Sequence, residues 1–294
     1  MKKWALRGGL GLLIVFLLLW SAVTVGGVYF TVRPRPADFE DIETLADRPV
    51  APLSLVTADN LALSAWYVPA GTDRAVVLLS GIDSNRNASR GHGELYLAHG
   101  YSVLLPDLRA TGRSEGRRVT LGWHERKDLV AAFDFLKAQG YAHVGDHGHS
   151  LGAATVCYAM PELPDLAFAV LESSYDTLGN AVRNRLHMFY TPHFIAYPFY
   201  TLLGLAIGAP PWRLRPMDHV ARSAAPTLIL AGDSEPEVKV SDTKALFEHS
   251  AADYKQLHFF VGGRHQNFLR RYTDEYQEVL LAFLDRVVPP AHEE

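Results

Sequence analysis

From Gly8 to Val32 the chain carries no charged side chain, and Leu10 to Trp20 is almost wholly aliphatic or aromatic. A helix of about 25 residues at about 1.5 Å each spans roughly 37 Å, more than the ~30 Å hydrocarbon core of a bilayer. Its backbone groups are satisfied internally, as lipid demands. Further along, Leu53–Thr57 and Leu61–Tyr67 are short alternating runs around the turn pair Asp59-Asn60, which predicts an antiparallel hairpin. The pattern then changes. Continuous apolar runs at Ala75–Leu79, Tyr101–Leu105, Phe168–Leu171, Thr227–Leu230 and Leu257–Val261, with a strand around Tyr141–Gly145, predict strands buried on both faces. Leu129, Phe133 and Leu136 share one helical face, and Tyr276, Val279, Leu280, Phe283, Leu284 and Val287 form a full stripe before Pro289-Pro290. Strands alternating with helices predict an α/β fold with a mostly parallel sheet and helices on both faces.

One stretch breaks the rhythm. Met188–Trp212 is rich in aromatics and leucine and is interrupted by Pro192, Pro198, Pro210 and Pro211. Three readings fit it: a buried helix, a small apolar cap over a pocket, or, least compatible with the prolines, a second membrane span. The expected organisation is an anchor over 1–32, a linker over 33–50 and one domain over 51–294, with the cap insertion at about 176–216. Within the linker, Arg33-Pro34-Arg35-Pro36 reads as a stiff, extended spacer.

Charge orients the anchor. Lys2, Lys3 and Arg7 precede the apolar run, whereas Asp38, Glu40, Asp41 and Glu43 follow Arg33 and Arg35. The basic side is expected in the cytoplasm and the domain on the exported side. The rival is a signal peptide, cleaved to release a secreted protein, although no clean A-x-A site follows the run. The formal charge of −4 falls to −7 without the three leading cations, which excludes a general nucleic-acid binder. Cys157 is the only cysteine, so intramolecular disulfides and multi-cysteine metal sites are impossible. With 5 Trp, 13 Tyr and 14 Phe the chain has the side chains to build a core, and disorder is excluded.

The sharpest local signal is Gly148-His149-Ser150-Leu151-Gly152, after a predicted strand and before a helix through Ala153, Val156 and Ala159. A serine there sits on a tight elbow where glycines avoid backbone collisions and the hydroxyl is pushed clear of the sheet. A hydroxyl needs a base, and His265 lies in a loop directly after the last apolar run. The base needs an acid, and the loop after Thr227–Ala231 offers Asp233, Glu235 and Glu237, in the expected order Ser, acid, His. Charge developing on a substrate oxygen needs two N–H donors. The backbone of Leu151, next to the serine, is one candidate, and Ile82 in Ser80-Gly81-Ile82-Asp83 is the other.

From Leu53 to Val288 the sequence resembles the α/β-hydrolase superfamily, and more narrowly its Bem46-like, membrane-anchored serine hydrolases with a short cap. The resemblance rests on Thr57-Ala58-Asp59-Asn60 with Trp66-Tyr67 and on the elbow. It also rests on Pro106–Gly116, similar to a D-x-R-G-x-G-x-S loop, and on Arg215–Val220 with Ala225-Pro226. It implies an eight-stranded sheet. It lays the acid of G-x-x-D-P-x-V onto Glu235, in register with Pro236 and Val238, and leaves Asp233 as the alternative. Two positions depart from the family pattern: Glu stands where Asp is usual, and Ser80-Gly81 where His-Gly is usual.

The expected function is a serine hydrolase cleaving a small-molecule or lipid-like acyl ester or thioester. The alternatives are a peptidase or amidase with the same triad, and a non-catalytic interaction protein on the same fold. No cofactor motif is present, and His143, His147, His149 and Asp146 match no common zinc spacing, so neither cofactor nor metal is expected. Cys157 is expected in the core, while Arg109 and Arg113 read equally as loop-holding or solvated charges.

Overall fold

The structure, a computed structural model, describes residues 2–35 and 37–289. Pro36 of the expected spacer, Pro290 of the expected helix stop and the last residues of the expected domain lie outside it. The apolar N-terminal run forms one helix, α1 (Lys2–Val32). A two-stranded ribbon, β1 (Thr44–Leu45) and β2 (Arg48–Pro49), leads into the main sheet. There β3 (Ala51–Val56) and β4 (Ala62–Val68) make the expected hairpin, with Asn60 taking the left-handed conformation its turn requires. The sheet continues with β5 (Arg74–Leu79), β6 (Ser102–Pro106), β7 (His143–His149), β8 (Phe168–Glu172), β9 (Thr227–Gly232) and β10 (Lys255–Phe260).

Among the described residues the sheet has eight strands in the order β10-β9-β8-β7-β5-β6-β4-β3. Only the pairings of β4 with β3 and β6 are antiparallel; the others are parallel. Strand order reverses at β5, whose neighbours are β6 and β7. Such a switch point leaves a crevice at the carboxyl ends of the strands.

Helices cover both faces, each through its own apolar side. α3 (Arg126–Ala138), α4 (Leu151–Ala159) and α8 (Val240–His249) bury Leu129, Leu136, Val156 and Leu246 on one face. α2 (Arg90–Ala98), the short α9 (Phe268–Arg271) and α10 (Thr273–Val287) bury Tyr96, Phe268, Tyr276, Leu280 and Phe283 on the other.

The expected strand around Tyr141–Gly145 is displaced: β7 runs from His143 to His149. Hydrophobicity misplaces it because its second half holds Asp146 and His147, both buried. Pairing decides the register instead, with Leu79 opposite Gly148 and Glu172 opposite His149.

Between β8 and β9 lie α5 (Leu178–Met188), a 3₁₀ turn His193–Ala196, α6 (Tyr197–Ile207) and α7 (Pro216–Val220). Pro198 falls in the first turn of α6, where its missing N–H costs nothing, and Gly208 ends the helix at φ 78°. At 11 residues α6 is about 16 Å long, too short to cross a bilayer, so the second-span reading falls. Its Leu203 and Ile207 pack instead with Val28 and Val32 of α1 in a third apolar cluster.

Candidate active site

Ser150 sits between β7 and α4 with φ 53° and ψ −109°, a region that costs a non-glycine residue energy. The flanking glycines are a steric necessity. A Cβ on Gly148 would lie 2.3 Å from the carbonyl carbon of Gly152, and one on Gly152 would lie 2.5 Å from the Leu79 oxygen. The elbow is tied to the neighbouring strand by the Ser150 N–H, which donates to the Glu172 carbonyl at 2.8 Å. Leu151 opens α4, so its N–H has no carbonyl partner within the helix and points from the positive end of the helix dipole.

The loops that leave β9 and β10 lock together. Ser234 N–H donates to the Gly263 carbonyl at 2.9 Å, and a Cβ on Gly232 would lie 2.1 Å from that same oxygen. This contact delivers two side chains to the elbow. His265 Nδ1 lies 2.7 Å from Glu235 Oε2, and His265 Nε2 lies 2.9 Å from Ser150 Oγ. Glu235 is buried, and its other oxygen accepts from the Gly232 N–H and the Ser173 hydroxyl, both at 2.7 Å. With Nδ1–H donating to the carboxylate, Nε2 is left to accept the serine proton.

Asp233 faces elsewhere: its Oδ1 accepts from Gly262 N–H and Ser234 Oγ, both at 2.8 Å, on the exposed side of the loop. Among the described residues, the carboxylate that meets His265 is that of Glu235.

The loop after β5 abuts the elbow. A Cβ on Gly81 would come within 3.1 Å of His149 Nδ1 and 3.5 Å of Ser150 Cβ, so this loop packs against the elbow with little room for a side chain at Gly81. Ser80, Gly81, Ile82, His149 and Asn267 line part of a cavity of about 190 Å³ there.

Sequence reasoning missed two features. Ser173 steadies Glu235; the one available signal was its position just past the end of β8. Behind the elbow, His92, His147 and Glu172 bring their donor atoms within 4.8 Å of one another, a set with the chemistry to hold a cation. It differs from the histidines considered from the sequence: in β7, His147 and Asp146 point to opposite faces. Glu172 Oε1 is 2.8 Å from His147 Nε2, 3.3 Å from His92 Nε2 and in contact with the Tyr276 hydroxyl, whereas Glu172 Oε2 and His92 Nε2 have no hydrogen-bond partner among the described residues. Burial opposes the charge on Glu172, but the two histidines outweigh it and hold its carboxyl well below the usual range. Burial lowers His149 to about 4, so its ring is neutral near neutral pH.

Arg109 is no solvated charge. It is buried in ion pairs with Asp128 at 2.6 Å and Asp59 at 2.9 Å, and holds the loop after β6. Arg113 pairs with Asp41 at the surface. Cys157 is fully buried among core residues, and burial pushes its thiol up to about 12.

A sheet whose strand order reverses at β5, with a serine on the tight turn from β7 into α4 and a histidine and an acid on later strand-end loops, is the α/β-hydrolase fold. Residues 56–191 match the family model of the X-Pro dipeptidyl-peptidases of the S15 family. The chain is 25% identical over 225 residues to the uncharacterized protein YqkD of Bacillus subtilis (strain 168), a match covering 74% of this chain and 73% of that one. A Pyrococcus furiosus esterase, Pf2001, superposes with TM-score 0.75 at 24% identity, over 87% of this chain and 98% of its own. A puromycin-hydrolyzing peptidase of Mycobacterium tuberculosis gives TM-score 0.69 at 16% identity, over 86% of this chain and 41% of its own.

Proposed function

We propose that the protein is a membrane-anchored serine hydrolase acting on acyl esters or thioesters, of the short-capped, Bem46-like kind, with Ser150, His265 and Glu235 as its triad. The observation that carries this reading is the unbroken run of contacts from Ser150 Oγ through the imidazole to the Glu235 carboxylate. His265 Nε2 takes the serine proton as Oγ bonds to the acyl carbon, and Glu235 stabilises the imidazolium. The carbonyl oxygen becomes an oxyanion, stabilised by the N–H groups of Leu151 and Ile82. Collapse expels the leaving group, which takes the proton from His265. Water, deprotonated by the same ring, then cleaves the acyl-enzyme.

The apolar side chains of the cap favour an acyl substrate. α1 serves as an uncleaved anchor with its basic end in the cytoplasm, supported by Val28 and Val32, which are buried against the cap as a detachable leader's would not be. A peptidase or amidase is the second reading, favoured by the S15 match over residues 56–191.

A fluorophosphonate probe should label the wild type and not Ser150→Ala, whose turnover should fall by roughly 10⁴-fold or more. A p-nitrophenyl acyl series should be turned over faster than peptide anilides. Anilide preference would favour the peptidase reading. Folded protein that resists the probe would remove the enzyme altogether.

A further inference from the structure

The cap and the anchor are packed as one unit. Trp20 Nε1 donates to the Ile195 carbonyl at 3.1 Å, the Phe199 ring lies 3.5 Å from where a Cβ on Gly27 would stand, and Val28 and Val32 share a cluster with Leu203 and Ile207. The two helices therefore run side by side in the same direction. Counted from Arg7, the last charge before the apolar run, Trp20 lies about 20 Å along α1. That is about 10 Å short of the far boundary of a ~30 Å hydrocarbon core. If α1 crosses the bilayer, the start of α6 cannot remain in water.

Surface chemistry agrees. The end of α5 and the turn before α6 expose Phe189, Tyr190 and Phe194, with Tyr190 at 97% of full exposure; Leu205 and Trp212 are exposed nearer the α1 C-terminus. Two polar groups at this tip are paired internally, as lipid favours: His193 Nε2 is 2.8 Å from the Tyr200 hydroxyl, and Thr191 N–H donates to the Leu186 carbonyl. Between Thr177 and Met217 stand Arg183, Arg185, Arg213 and Arg215 and no acidic residue, in a chain whose net charge is −4. Arg215 pairs with Asp218 at 2.7 Å, but Arg183, Arg185 and Arg213 form no ion pair among the described residues, and apolar aromatics combined with such arginines suit an anionic membrane interface.

We infer that the cap is itself a membrane element: its tip, Phe189–Tyr197, is buried among the acyl chains of the leaflet where α1 ends, and its arginines face anionic headgroups. The inference rests on the reading of α1 as an anchor and is independent of the triad. It deepens the proposed function, because a cap seated in lipid draws substrate from the bilayer.

The test uses the full chain in nanodiscs containing phosphatidylglycerol, with spin labels at single cysteines in a Cys157→Ser background. The labelled variants are Tyr190→Cys and Phe194→Cys in the cap, Leu12→Cys in α1 and Val56→Cys in the exposed hairpin. Labels at Tyr190 and Phe194 should match Leu12 in meeting oxygen more often than a water-soluble nickel chelate, with Val56 showing the reverse. Cap labels that meet nickel as Val56 does, while Leu12 stays in lipid, would overturn the inference and leave the anchor standing. Nickel at Leu12 as well would remove both, leaving the triad untouched.

Discussion

Glu235 and Asp233 lie two residues apart, yet only one reaches the imidazole. The difference is which backbone each carboxylate holds. Glu235 turns inward to the Gly232 N–H and the Ser173 hydroxyl, leaving Oε2 for His265, whereas Asp233 caps Gly262 at the surface. In Glu235→Gln the amide must set an NH₂ against donors, either His265 Nδ1–H or the Gly232 and Ser173 pair. The imidazole is then driven toward the wrong tautomer, and kcat for an acyl ester should fall by about 10³–10⁴-fold with KM nearly unchanged. Asp233→Asn keeps an oxygen for Gly262 and should retain turnover close to wild type. The reverse pattern in steady-state kinetics would reassign the acid. The sequence made Ser150, His265 and Glu235 legible, because elbow spacing, a strand-end loop and the Pro236–Val238 register each mark a position. It did not reveal Ser173 or the His92–His147–Glu172 set. A lone serine past a strand carries no pattern, and buried charge runs against the rule by which cores are read.

At the scale of elements, apolar runs located seven of the eight strands of the main sheet to within about two residues, and failed at β7, where the core holds His147, which Tyr96 and Glu172 satisfy, and Asp146, which has no partner among the described residues. The helix that hydropathy marks most plainly has a second role that hydropathy does not show. The last turns of α1 pack against the insertion between β8 and β9, and Val119 N–H donates to the Val32 carbonyl at 2.8 Å. Removing residues 1–32 therefore strips two buried valines and a hydrogen bond from the domain, a loss of about 4 kcal/mol. In detergent, the chain lacking 1–32 should melt about 10 °C below the chain lacking 1–19, which keeps those contacts. Equal melting temperatures in scanning calorimetry would show that α1 contributes nothing to the fold.

Across the whole molecule, the same burial that builds two apolar layers traps titratable groups whose effects on stability have opposite signs. Burial lowers His124, His149 and His219. Unfolded chains bind more protons at these rings, so their contribution is present above the ordinary histidine range and is lost as pH falls through it toward the folded value, about 4 for His149. Asp146 acts the other way. It is fully buried, neither carboxylate oxygen has a hydrogen-bond partner among the described residues, and burial raises its carboxyl well above the ordinary value. Kept protonated in the fold and ionised when unfolded, it weakens the protein as pH rises above about 4. Asp146→Asn removes that titration while keeping the shape. The stability of the variant relative to wild type should therefore climb by about 1.4 kcal/mol per pH unit from pH 4 upward, until the folded wild type itself begins to ionise. Urea unfolding of both proteins at pH 5 and pH 7 measures the climb directly. Parallel curves would mean that Asp146 is ionised in the fold and stabilised by a partner, and that this part of the core is more polar than its packing implies.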